Sequence, residues 1–127
     1  MSLQWVPMVK MIKKWNEYNG KPVTPSFLLE VMALQVFTPP FSGGYEYELK
    51  SYFATAASRI GEIWSDPAGM GPPVSDQMDA SKIEKARKAF SSAELLVSRA
   101  QRLGREGRNG DALREWRTLF GPLFPLS

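Results

Sequence analysis

Cysteine and histidine are both missing from the 127 residues of this chain. Without them there is no disulfide framework and no Cys/His zinc site. Nucleophilic catalysis by a Ser–His or Cys–His pair is excluded for the same reason. Missing cysteine also fits a reducing cytoplasm, which is the expected compartment. No apolar run reaches the length of a membrane span, and no signal-peptide pattern opens the sequence, so no membrane is expected among its partners. Phosphate-loop motifs of the GxxxxGKS and GxGxxG types are lacking; Gly69-Met70-Gly71 is too short and has no lysine after it. Acidic residues do not pair for a metal. Glu46 and Glu48 stand two apart, which turns them to different faces of a helix, and Asp76 and Asp79 read as a loop residue and a helix cap. The chain therefore has no pair of carboxylates of its own for magnesium-assisted phosphoryl transfer. Strand-like alternation and a fixed-period repeat are lacking too.

What is present is a chain of one-domain size, 14.3 kDa, able to bury roughly two thirds of its unfolded surface. The net charge of +3 is unevenly placed, because Lys82 to Arg108 carries eight Lys/Arg against three Glu. That excess suits a solvated helix face or a surface for an anionic partner such as RNA.

Helical spacing organises nearly everything else. Trp5, Met8, Val9, Ile12 and Trp15 form one stripe over 5–19, with Lys10, Lys14 and Glu17 opposite and Lys13 at the stripe's edge. Gly20 and Pro22 stop that helix. A third helix is expected from Tyr45 to about Trp64, with Leu49, Tyr52, Phe53, Ala56, Ala57, Ile60 and Ile63 inward. The breaker-rich stretch Asp66–Asp79 reads as irregular. A fourth helix is capped by Asp79 or Ser81, carries Ile83, Ala86, Phe90, Ala93, Val97, Ala100 and Leu103 at steps of three and four, and closes at Gly104. A fifth, capped by Asn109 or Asp111, turns Ala112, Leu113, Trp116 and Phe120 inward and ends at Gly121. The expectation is an all-α single domain, residues 1–127, of about five helices packed around the stretch 24–37.

That stretch, TPSFLLEVMALQVF, is apolar nearly all round and so belongs in the middle of a fold. Thr24 suits its cap and Pro25 its first position. Ser26 falls in the first turn, where free amides and the helix dipole attract anions. With Lys13 as a point charge suited to phosphate and Phe27 as a flat face for a base, these residues form a candidate nucleotide site. Each also has a plain structural role available: a snorkelling lysine, a capping serine, a core phenylalanine.

The segment Met8-Val9-Lys10-Met11-Ile12-Lys13-Lys14-Trp15, followed after a Gly-containing turn by Pro25-Ser26-Phe27-Leu28-Leu29-Glu30, resembles the helical half of the oligoadenylate synthetase and cyclic GMP-AMP synthase-like nucleotidyltransferases. Bacterial members make cyclic nucleotide signals in anti-phage defence. Two later stretches are similar to family landmarks in the same order: Trp64-Ser65-Asp66-Pro67-Ala68-Gly69, and Trp116-Arg117-Thr118-Leu119-Phe120-Gly121-Pro122-Leu123-Phe124-Pro125. The resemblance implies that Lys13 and Ser26 contact the triphosphate of a nucleotide substrate and that Phe27 lies by its base. It implies Lys10 as a second phosphate contact and Glu30 as a structural partner near the helix start. The family's catalytic half opens on a Gly-Ser pair and carries strand-borne acids for Mg2+; neither is here. The Asp-Pro loop continues as Met70-Gly71-Pro72-Pro73 instead of with the family's asparagine. The implied function is the nucleotide-positioning helical lobe of an enzyme whose N-terminal catalytic lobe is not in this chain. The alternatives from the residues alone are a helical protein-interaction module and an RNA-binding module using 82–108.

Overall fold

The computed structural model describes residues 5–36, 45–69 and 71–122, without the side chains at 5–7, 45 and 77. Five α-helices follow one another: α1 Trp5–Tyr18, α2 Phe27–Val36, α3 Tyr45–Arg59, α4 Ala80–Arg105 and α5 Asn109–Phe120. A single 3-10 turn, Val74–Gln77, lies between α3 and α4, and no strand occurs among the described residues. The molecule is all-α, as the spacing predicts.

The core forms where the stripes meet. Met8, Val9, Ile12 and Trp15 of α1 are buried, as are Leu28, Leu29, Val31, Met32 and Ala33 of α2. Consecutive buried positions on α2 follow from its apolar circumference; it touches α1, α3 and the 3-10 turn. The most extensive packing is α3 on α4 and α4 on α5. Between them lies an aromatic cluster. The Trp15 ring stacks on Phe90 with centroids 5.2 Å apart and meets Phe53 at 5.1 Å. Tyr52 presents its edge to both Phe53 and Phe90. Such geometries add a specific aromatic attraction to the burial of large apolar surfaces.

Four element ends differ from the sequence expectation. The central helix starts at Phe27, so Thr24 is not its cap and Pro25 is not its first residue. The Thr24–Pro25 peptide is cis, and the carbonyls of Pro25 and Ser26 accept the N–H groups of Leu28 and Leu29 at 3.0 Å each. The end at Phe37 and the loop 38–44 lie outside the described residues. The third helix ends at Arg59 rather than near Trp64, because the chain turns at Gly61 and docks Trp64 separately. The Trp64 indole N–H donates to the Arg59 carbonyl at 3.2 Å under the Arg59 guanidinium, and its backbone N–H donates to Ser75 Oγ at 2.8 Å. Ile63, expected inward, is consequently 76% exposed. The fourth helix does use Asp79, whose carboxylate accepts the Lys82 N–H at 2.8 Å, but it runs past Gly104 to Arg105. Gly107 at φ 78° provides the left-handed residue, with Arg108 N–H on the Leu103 carbonyl and Gly107 N–H on that of Gly104. This paired closure is the Schellman motif, and it requires the left-handed residue two positions after the last helical one. The fifth helix takes neither expected cap; Asn109 and Asp111 sit inside its first turn, where the Asp111 carboxylate pairs with Arg108 and Arg114.

Candidate functional site

The site expected at the junction of α1 and α2 is built on two helices held by a short turn. Asn16, a buried amide in the last turn of α1, fixes the short connecting turn: its amide N–H donates to the Val23 carbonyl at 2.9 Å and its Oδ1 accepts the Val23 N–H at 3.0 Å. An amide clasping one residue's backbone in both directions leaves neither strand of the turn free to shift. Asn19 donates to the carbonyls of Trp15 and Leu119, tying the end of α1 to the end of α5. Between them the chain passes through Gly20 at φ 83° and Lys21 at φ 55°.

Across this junction the Lys13 ammonium of α1 lies 3.6 Å from the Glu30 carboxylate of α2. Both side chains are partly exposed, at 39% and 30%. Such a pair contributes only about 0–1 kcal/mol to folding, so it holds Lys13 in place without tying up its charge strongly. The residues one turn before Glu30 are Ser26 and Phe27. Ser26 is exposed, and its hydroxyl has no hydrogen-bond partner among the described residues. Phe27, the first residue of α2, is 46% exposed rather than core. Lys10 stands one turn before Lys13 on α1 and is exposed. The structure thus brings Lys13 to the side of α2 that carries Glu30. Of the amides expected to be free at this helix start, those of Leu28 and Leu29 are already engaged.

The junction offers a half-exposed cation in a weak ion pair, an unpartnered hydroxyl and an open aromatic face. Among the described residues no three acidic, histidine or cysteine side chains cluster as metal ligands. Of the remaining landmarks, Asp66 accepts the Ala68 N–H at 3.0 Å and shapes the Asp-Pro turn, while 123–125 of the closing motif lie outside the described residues.

Sequence reasoning missed Asn16 and Asn19 as positioning residues. The signal for Asn16 was available, since it continues the buried stripe one turn after Ile12. None was available for Asn19, whose partner Leu119 lies 100 residues away.

The fold therefore defines an all-α domain with the Lys13–Glu30 ion pair where its first two helices meet. No protein-family model matches this chain, and no curated protein matches it. No helix among the described residues is long and apolar enough to cross a membrane.

Proposed function

We propose that this chain is the helical lobe of an oligoadenylate synthetase or cyclic GMP-AMP synthase-like nucleotidyltransferase that makes a nucleotide second messenger. The observation that carries the reading is the 3.6 Å approach of Lys13 to Glu30, which sets a lysine beside the helix that begins at exposed Phe27, just after exposed Ser26. In this reading the lobe forms one wall of a nucleotide cleft. Lys13 exchanges its weak carboxylate partner for the triphosphate, since a polyphosphate offers more charge than one half-exposed glutamate. Ser26 donates its hydroxyl to a phosphate oxygen, Lys10 adds a second cation, and Phe27 lies against the base. The metal-dependent transfer, with Mg2+, belongs to the N-terminal catalytic lobe, so this chain alone binds and positions but does not turn over. A cytoplasmic place and a role in antiviral signalling follow from the same resemblance.

The test is Lys13→Ala in the protein that includes the catalytic lobe. Losing one charged hydrogen bond, about 1.5–3 kcal/mol, lowers nucleotide affinity by one to two orders of magnitude in calorimetry, while circular dichroism of the helical lobe stays as it is. Unchanged affinity in a normally folded variant removes the phosphate assignment. Ser26→Ala leaves stability nearly unaltered, because its hydroxyl makes no cap.

A further inference from the structure

A second feature of the α1–α2 turn is separate from the Lys13–Glu30 pair. The turn faces the first two turns of α4 across an open cavity of about 500 Å³. Its walls are Asn19, Lys21, Pro22 and Thr24 on one side and Lys82, Lys85 and Ala89 on the other, with Gly20 at the turn. Three lysines from two distant parts of the chain point at one space, and no carboxylate lines it. None of Lys10, Lys13, Ser26 and Phe27 lines it either.

Two of these charges, those of Lys21 and Lys85, are left without a carboxylate partner. Lys13 and the arginines at 59, 87, 99, 108 and 114 all have carboxylate partners. Lys21 and Lys85 have no ion pair with any described residue. The acids nearest to the two α4 lysines in sequence have other partners: Asp79 accepts the Lys82 backbone N–H, and Glu84 binds Arg87 at 2.8 Å. Gathering like charges around a concavity costs free energy that an anion relieves. The lysine ammonium, a compact point charge, suits phosphate oxygens. The Thr24 hydroxyl adds a neutral donor, and Pro22 and Ala89 give the floor an apolar patch.

From this we infer that the cavity between the 19–24 turn and the start of α4 is a binding site for a small polyphosphate anion, of the pyrophosphate or nucleoside polyphosphate class. A small ligand fits better than a nucleic-acid strand, because the lysines converge on a pocket from two walls rather than lining up as a stripe along one face. The inference does not depend on Lys13 or on the nucleotidyltransferase reading.

The experiment titrates pyrophosphate into the full chain at low salt, with calorimetry for affinity and amide NMR for location. The expected result is one saturable site, with the largest shifts at 19–24 and 82–89. Lys21→Asn combined with Lys85→Gln weakens it by about tenfold or more, since two charge-assisted contacts are removed. Asparagine is chosen at 21 because it tolerates the left-handed backbone there. Lys50→Gln with Lys88→Gln removes the same net charge from exposed positions outside the cavity and leaves affinity within about twofold. No saturable binding overturns the inference. So does equal weakening by both double variants, which means a diffuse basic surface of the kind a nucleic acid uses. Loss of binding in Lys13→Ala alone, with the Lys21/Lys85 variant unaffected, moves the phosphate to the Lys13–Glu30 junction and also overturns it.

Discussion

Tyr52 is a buried phenol whose hydroxyl donates to the Leu29 carbonyl at 3.1 Å, joining α3 to α2. Burial pushes its pKa well above the ordinary tyrosine value, because the phenolate would lose its hydration. The sign of the linkage follows. The unfolded chain releases this proton from about pH 10 and the folded chain holds it, so stability is full below pH 10 and falls as pH rises past it. The slope from this one group is about 1.4 kcal/mol per pH unit. Tyr52→Phe is expected to cost about 1 kcal/mol at neutral pH by loss of the hydrogen bond, and to flatten the alkaline limb by that slope. Denaturant melts of both proteins from pH 8 to 11 check it; parallel curves would mean that the buried phenol does not govern the alkaline limb. At this scale sequence is a poor guide to partners. The stripe shows that Tyr52 points inward, but not that its oxygen finds Leu29. Likewise it marks Lys13 as an edge residue without showing that Glu30 stands 3.6 Å away.

Helix ends decide the shape of the elements, and they are where reading and structure part. The interior of α4 is legible residue by residue: Ala86, Phe90, Ala93, Val97, Ala100 and Leu103 are all buried, at the steps of three and four the sequence shows. Its end is not, because Gly104 and Gly107 are both available and only the closing hydrogen bonds select the second. The α2 start misled for a similar reason. Proline at a first position is a statistical preference, and here the turn clasped by Asn16 sets the backbone before the helix begins. Asp79 was one of two cap candidates, and its bond to Lys82 N–H decides between them. Asp79→Ala is expected to lower stability by about 1 kcal/mol, read as a shift of the urea midpoint with the slope unchanged. Ser81→Ala, inside the helix, is expected to shift it by less than about half that amount.

For the whole molecule, the aromatic cluster ties the helices into one cooperative unit. Phe90 touches rings from α1 and α3 and is itself on α4, so it is shared by three elements. Phe90→Ala is expected to cost about 3–5 kcal/mol, a large part of a typical total of about 5–15 kcal/mol. Guanidinium unfolding watched by tryptophan fluorescence and by circular dichroism should give coincident curves in the wild type. If Phe90→Ala left the midpoint unchanged, the cluster would not be the common support of these helices. Composition and period made the all-α class legible, because a helix stripe is a local property. The convergence of Lys21 with Lys82 and Lys85 was not, since it depends on how a turn near residue 20 meets a helix that starts sixty residues later.

One clasp carries a consequence for how the chain is made. Asn19 reaches the Leu119 carbonyl, and the ring of Tyr18 lies against Gly121, where an added Cβ would meet it at 3.3 Å. The finish of α1 is therefore completed by residues from the far end of α5. On a translating ribosome the early helices emerge and can pair among themselves, but this clasp stays open until the segment around 119–121 has left the exit tunnel. The Lys13–Glu30 junction and the lysine-lined cavity both belong to the α1–α2 connection that the clasp anchors. Their geometry thus depends on a residue 100 positions downstream, so a nascent chain halted before 119 would present both sites with that anchor undone.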